Sequence, residues 1–294
     1  MHHQAEERRR GAALVATGVV AWSLVGFFTR LIPLDAWTIL VWRGIFGGLF
    51  IGLFIAWRYR GRTLSLTRAM GWPGVLVTCL SALGMITFIP ALKLTSVADV
   101  AIVFATCPFI TAALAWTWFR EPVSVPTLGA SALAFAGVVV TVGEAGRGPN
   151  ALLGDLLALV MTVALAAMTV ALRRYRAVPL LPTACLANLL GTVVSLGLAS
   201  QAMIGPWNMA CLALFGLQMT LGLGLFTVGS RFIPAAETAL IGTLETPLAP
   251  FWVWLAFGES VPLRTLLGGA MVMTAVLGHA LLQGRRPRQT VSAP

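Results

Sequence analysis

The side chains able to do chemistry are few, and most stand inside long apolar runs. The 294 residues hold ten acidic side chains, three histidines and four cysteines. His2 and His3 sit near the N-terminus, and only His279 falls within an apolar run. Cys79, Cys107, Cys185 and Cys211 show no Cys-x-x-Cys spacing, which speaks against a metal site or a disulfide framework. There is no phosphate loop, no His-Glu-x-x-His and no recognisable nucleophile motif. The reading is a protein that is not an enzyme, uses no cofactor or metal, and holds no ATP-driven pump within this chain.

What remains is chemistry of a binding kind. Glu245 lies about halfway along an apolar run. An acidic group there costs about 2.5–3.5 kcal/mol to insert and faces a cavity or a partner. It would neutralise a substrate ammonium, carry a proton, or pair with a neighbouring helix. Pro108, Pro247 and Pro250 interrupt two such runs. Proline lacks an N–H and strips the carbonyl four residues back of its partner. The carbonyls of Phe104, Thr243 and Thr246 would be exposed in this way. Interrupted helices at matching places in two halves point to a substrate site; the alternative is a kink satisfied by neighbouring helices. Trp22, Phe88, Phe104, Phe109 and Phe226 lie on the runs expected to surround such a site, where an apolar ligand would stack. Core or lipid-facing places are the alternative for each. The candidate substrate-binding set is Trp22, Phe88, Phe104, Pro108, Phe226, Thr243, Glu245 and Thr246. Arg43 either meets a substrate carboxylate or, as we favour, is structural. Gly44, Gly48 and Gly52 beside it, at four-residue spacing, predict close packing on another helix.

These residues need elements that hold them in lipid. The chain is 58% hydrophobic and 10% charged, with a mean hydropathy of +0.89, whereas a soluble domain carries about 25% charged residues. Crossing about 30 Å of hydrocarbon takes about 20 apolar residues. Runs of that kind are Gly11–Thr29, Ala36–Trp57, Ala69–Leu92, Val100–Phe119, Pro122–Gly143, Leu156–Leu172, Ala235–Phe257 and Thr265–Gly284. Ala177–Ser230 has no charge and holds two more, split by the turn signal Gly205-Pro206-Trp207-Asn208. The fold class is an all-α membrane protein of ten transmembrane helices. Arg8-Arg9-Arg10 before the first run resembles the opening of a signal peptide, but the run exceeds the usual 7–15 residues or so, so it is read as a span. With the N-terminus inside, fifteen Lys and Arg face the cytoplasm and four face out, a strong positive-inside bias. Both termini are then cytoplasmic. The net charge of +10 reports topology and lipid contact rather than nucleic-acid binding.

Sliding the sequence on itself by 138 residues overlays Gly84–Glu121 on Gly222–Glu259 without a gap. The polar matches carry the weight: Lys93 meets Arg231, Asp99 meets Glu237, and Glu121 meets Glu259. A shift of 143–145 pairs Gly11 with Gly154, Arg30 with Arg173 and Gly52 with Gly197. Residues 1–146 and 147–294 are thus two repeats of five spans. Five is odd, so the second copy enters the bilayer from the opposite side, an arrangement recurrent in secondary transporters. The charges Lys93 with Asp99, and Arg231 with Glu237, are expected to act as a gating pair at each mouth.

On these residues the chain resembles the EamA unit of the drug/metabolite transporter superfamily. The first copy shows Pro108, Phe119-Arg120-Glu121, Gly129 and Gly137; the second shows Glu245-Thr246-Pro247, Gly258-Glu259 and Gly268. Trp22-Ser23, Arg43 and Leu153-Gly154-Asp155 agree with it. Two departures stand out: Glu-Thr-Pro where the family commonly has Glu-Pro, and Leu165 where a Trp matching Trp22 is expected. Within the superfamily the pattern is most similar to the YddG-type aromatic amino-acid exporters. The resemblance implies a secondary, non-ATP exporter of aromatic or large apolar amino acids working by alternating access. The expected partners are a small-molecule substrate and membrane lipid, with no nucleic acid, and the chain is expected to be a monomer. A carrier of nucleotide sugars or drugs, or a non-transporting receptor or scaffold, is the alternative. A composition heavy in Ala, Gly, Leu and Arg suggests a GC-rich bacterium and its inner membrane.

Overall fold

The computed structural model describes residues 2–59, 70–120, 125–142, 149–175, 178–200, 204–233, 238, 241–242, 244–259 and 261–284. Helices dominate them. In chain order they are α1 (His2–Ser23), α2 (Val25–Leu31), α3 (Ala36–Tyr59), α4 (Gly71–Leu94), α5 (Val97–Ala105), α6 (Cys107–Phe119), α7 (Val125–Val142), α8 (Ala151–Arg174), α9 (Leu180–Leu196), α10 (Pro206–Gly229), α11 (Glu245–Phe257) and α12 (Leu263–Gly284). In hydrocarbon each backbone N–H and C=O must be satisfied within the chain, and a helix does this locally. Among the described residues six stretches are long and apolar enough to cross a bilayer: Glu6–Leu31, Ala36–Trp57, Gly71–Leu94, Val97–Phe119, Ala151–Arg174 and Pro206–Gly229. Val125–Thr141, Leu180–Leu196 and Leu263–Gly278 are shorter apolar helices.

Three helix starts differ from the apolar runs, each for a local reason. α1 begins at His2, so Arg8, Arg9 and Arg10 lie on a helix rather than in a tail. α5 begins at Val97, because Ser96 caps it by accepting the Asp99 N–H at 3.0 Å. The expected turn over Gly205–Asn208 is shorter than that: α10 starts at Pro206, in its first turn, where a missing N–H costs nothing.

Packing repeats itself across the chain. α1 lies on α10 and α4 on α8, while α3 packs on α9 and α7 on α12. A Cβ on Gly222 of α10 would meet the Trp22 ring at 2.7 Å, and one on Gly84 of α4 would meet Leu165 of α8 at 3.2 Å. Those are repeat mates facing repeat mates, since Gly84 matches Gly222 and Trp22 matches Leu165. Leu165 therefore takes the place of the missing Trp, against the same kind of small residue. Gly11 likewise sits against Phe232 and Ile233, and its mate Gly154 sits against Thr95. On the second interface Gly44 faces Thr192 and Gly48 faces Leu189 of α9, the close approach that four-residue glycine spacing predicts.

The two ends of the bundle are built differently. One end gathers Leu31, Asp35, Thr95, Gly154 and Glu259; Gly11, Gly229 and Arg173 mark the other. The larger core cluster lies toward the Asp35 end, with Ile32, Ile39, Ile89, Leu92, Val97 and Val253 almost fully buried. The cluster of Val15, Val19 and Ile233 toward the opposite end is much smaller.

Candidate functional site

The two interrupted runs break at matched positions. Thr106 separates α5 from α6. Its carbonyl accepts the N–H groups of Phe109 at 2.9 Å and Ile110 at 3.2 Å, and its hydroxyl donates to the Val103 carbonyl at 2.7 Å. Pro108 is thereby placed in the first turn of α6, where no N–H is needed. α11 starts at Glu245, which is 138 residues after the start of α6 at Cys107. Both helices run 13 residues and end on a left-handed residue, Arg120 at φ 54° and Gly258 at φ 65°. Their directions are opposite. α6 ends where Phe119 meets Arg173, at the last turn of α8, and α11 ends beside Glu259 at the Asp35 end.

Glu245 is the first residue of α11, which refines its expected place halfway along a run. Its carboxylate stands where the helix presents free N–H groups and a partial positive charge, a favourable place for an anion. Thr246 and Pro247 follow it and line a groove beside α12. Pro250 lies inside α11 and cannot donate to the Thr246 carbonyl. Thr243 and Glu237 fall outside the described residues.

The aromatic candidates divide into two groups. Trp22 and Phe226 meet with ring centroids 4.9 Å apart. Phe88 and Phe104, half-buried, pack against the main core cluster instead, and Phe109 is buried among α5, α7 and α12 residues. Beside Trp22, Ser23 accepts a 2.9 Å hydrogen bond from the Trp252 indole and donates to the Val20 carbonyl. Gln218 donates to the Ala21 carbonyl, next to the α1–α2 break at Leu24. The break in the first run is thus tied to both α10 and α11.

A polar network closes the Asp35 end. Arg30 of α2 meets Glu259 twice, Nε to Oε2 at 3.1 Å and Nη2 to Oε1 at 3.3 Å, and also donates to the Thr95 carbonyl at 3.0 Å. The Thr95 hydroxyl lies 3.2 Å from Asp99 and 3.1 Å from Asp155, and Thr265 donates to Asp99 at 3.0 Å. Asp99 and Asp155 are 3% and 4% exposed. Lys93 donates to the Ile32 carbonyl at 2.9 Å. Lys93 and Asp99, expected from the repeat matches to act together at one mouth, therefore bond to different partners. Six positions apart across a turn, they point to different neighbours. Among the described residues, Arg30 and Glu259 form an ion pair at this end. Arg231 is exposed just past α10, and its expected partner Glu237 is not described.

Asp35, in the link between α2 and α3, sits beside this network. Burial pushes its carboxyl up, but Ser200, the Thr38 hydroxyl and the N–H groups of Thr38 and Trp37 all donate to it and hold it below the ordinary value. Sequence reading did not single out Arg30, Glu259, Thr95, Asp155, Thr265 or Trp252 as one assembly. Glu259 and Asp155 had signals, as a repeat mate and as part of the Leu-Gly-Asp motif. Arg43 is 2% exposed and lies over the Phe215 ring at 5.2 Å. Its Nε and Nη1 have no hydrogen bond among the described residues. The guanidinium stacks on that aromatic face between packed helices.

An all-helical chain of this apolarity, with several helices able to span a bilayer and two matched helix starts, is a multi-pass membrane protein. The EamA-like transporter family matches residues 9–143 and 152–280, one copy in each half. The chain belongs to that family and is accordingly a membrane transporter of small molecules. No curated protein matches it. Among solved structures 22 chains match. One crystal structure, 19% identical, aligns with a TM-score of 0.65 over 94% of this chain and 98% of its own, a likeness of fold.

Proposed function

We propose that the protein is a secondary transporter exporting aromatic or large apolar amino acids by alternating access, as the YddG-type exporters it resembles do. The observation that carries this is the pair of matched helix starts at Cys107 and Glu245, in helices of opposite direction. A helix N-terminus favours an anion. Glu245 at the α11 start suits a substrate ammonium, while the α6 start bears no acidic residue and offers a carboxylate the helix dipole alone, since Phe109 and Ile110 donate to Thr106 and Pro108 has no N–H. An amino acid carries both charges. The Trp22–Phe226 pair, or Phe88 and Phe104 beside the main core, would supply apolar surface for a large side chain.

In this reading ten spans form two inverted repeats: α1 with α2, α3, α4, α5 with α6 and α7, then α8, α9, α10, the run ending in α11, and α12. Arg30, Lys93 and Arg264 share one end of the bundle. The opposite end holds Arg120, Arg173, Arg174 and Arg231. The positive-inside rule assigns that second end, with both termini, to the cytoplasm of a bacterial inner membrane. The Asp35 end is then the outer mouth, closed by Arg30 and Glu259. The transporter acts as a monomer.

Uptake into proteoliposomes, screened over amino acids with nucleotide sugars as the contrasting class, tests the substrate. Phenylalanine, tryptophan or leucine should be carried, and Phe104→Ala or Pro108→Ala should reduce transport at normal insertion levels. Uptake of nucleotide sugars alone would replace the amino-acid reading. Indifference to substitutions at Phe88, Phe104, Pro108, Phe226 and Thr246 would move the site elsewhere. Cysteines at positions 60 and 174 should be cytoplasmic, and one at 147 external; positions 60 and 147 lie outside the described residues. Labelling from outside at 60 but not at 147 would overturn both orientation and inversion.

A further inference from the structure

A groove of about 600 Å³ runs between α11 and α12. Its floor is Ala98 and Ile102 of α5, both buried, and its walls are Phe251 and Trp254 on one side and Leu266 and Ala270 on the other. Two threonines are its polar side chains. Thr265 already spends its hydroxyl on Asp99, and Thr246 stands at the far end, where α11 begins. Water in such a trough would find few of the two to four polar partners it needs.

We propose that this groove holds the acyl chain of a membrane lipid, running from the Asp35 end down to the helix start at Thr246. The groove is continuous with the face the protein turns to the bilayer. Trp254 and Leu266 on its rim are 54% and 55% exposed, and Leu255, Leu263 and Leu267 extend the same apolar surface. From Thr246 to Trp254, or from Thr265 to Met273, is eight residues, or about 12 Å of helix axis, and the trough stays open to the bilayer along that length, so a flexible chain can enter it from the side. The lipid would separate α11 from α12 and press on the Thr246–Pro247 joint, so bilayer composition would act directly on the element that opens the second half. The inference needs only the membrane placement of the protein, not the amino-acid substrate.

Lipids carrying a photoreactive group along the acyl chain, incorporated with the full chain into liposomes without substrate, test the groove directly. Cross-links should concentrate on residues 246–254 and 265–273, above the density on the exposed Phe135 face of α7. Ala270→Trp, or Met273→Phe should that variant not insert, should bring groove labelling down to the Phe135 level while leaving the latter unchanged. Three results overturn the proposal. The first is groove labelling no denser than at Phe135. The second is reaction of Ala270→Cys, in a chain whose native cysteines are replaced, with a membrane-impermeant thiol reagent as fast as a loop cysteine, which makes the groove aqueous. The third is a cross-link between two chains through the same cysteine, which makes the occupant a second copy. None of these readings depends on uptake, so failure here and failure of the substrate assignment are separate results.

Discussion

Glu259→Gln is the substitution with the most informative expected outcome. Glutamine keeps the shape of the side chain and can still accept one hydrogen bond from Arg30, but it removes the charge. The pair is intermediate in exposure, with side chains 26% and 29% accessible. A fully exposed pair contributes about 0–1 kcal/mol, and hydrogen bonds to charged groups contribute about 1.5–3 kcal/mol. One hydrogen bond at 3.3 Å and an ion-pair contact at 3.1 Å in this half-buried setting place the loss at about 1–2 kcal/mol. A loss of that size changes a two-state ratio by about 5- to 30-fold, enough to repopulate a balanced gate. Arg30 keeps its bond to the Thr95 carbonyl, so the variant should insert and fold.

Val253→Cys reports the opening. Val253 is 1% exposed, lines the same small recess as Glu259, and faces Gly26. A membrane-impermeant thiol reagent applied from the Asp35 side should label it slowly in the parent and about 5- to 30-fold faster with Glu259→Gln. Arg30→Gln should act alike, and the two together should do little more than either alone, as expected for one shared interaction. Unchanged labelling in both single variants, or full additivity, would refute the latch.

Three further outcomes follow from the packing and the hydrogen bonds. Gly222→Ala sets a Cβ 2.7 Å from the rigid Trp22 ring and should destabilise by about 1–3 kcal/mol, read as a lower Tm in detergent; Gly84→Ala meets only flexible Leu165 and should cost less. Ser23→Ala strands the Trp252 indole N–H at a cost of about 1–3 kcal/mol, and adding Trp252→Phe should recover part of the lost Tm by removing the orphaned donor. Asp35 stays ionised in the native protein at a pH where the unfolded chain, titrating near 3.9 or so, has begun to take up its proton. Its hydrogen bonds therefore add stability above that value and lose it as pH falls through the lower native one. Asp35→Asn should lower Tm at pH 7, and the gap to the parent should close in the acid range; a constant gap would exclude the carboxylate as its source.

Much of this architecture is written in patterns that lipid enforces. Apolar runs must become helices, and the 138-residue offset that overlays Lys93 on Arg231 also relates the α6 and α11 starts and their left-handed ends. Pro108 announces the break at Thr106 because proline suits the first turn of a helix, where no N–H is needed, although Pro250 inside α11 shows that a proline alone does not end a helix. Glu245 was legible as a special residue but not as a helix start, since counting along an apolar run carries no information on where backbone bonds lapse. The Lys93–Asp99 expectation met a related limit: matched charges in a repeat say nothing of which side chains meet, and the Ser96 cap opens the helix on which Asp99 bonds to Thr265. Arg30 and Glu259 are 229 positions apart, so their meeting depends on how the two halves pack, which no local pattern encodes.

The repeat nevertheless carries that pair to the other end of the molecule. Arg30 matches Arg173 and Glu259 matches Glu121, so the same two charges are available where α6 and α8 finish. Arg173 lies over the Phe119 ring at 5.4 Å; Glu121 is outside the described residues. Under the proposed alternation, the match of Glu121 to Glu259 makes Glu121 the expected partner of Arg173 in a counterpart latch, and weakening that latch should favour opening at that end. Opening at one end is closure at the other. Glu121→Gln should therefore slow the labelling of Val253→Cys from the Asp35 side, whereas Glu259→Gln speeds it. The combined variant should return toward the parent rate, because both states are destabilised together. A purely structural role predicts something else: each substitution would lower Tm, and labelling would rise in both through general loosening. Opposite signs in one assay, from two carboxylates that share a place in the repeat, are what reciprocal gates demand; equal signs would leave Arg30–Glu259 a local brace and remove the mechanical argument for alternation.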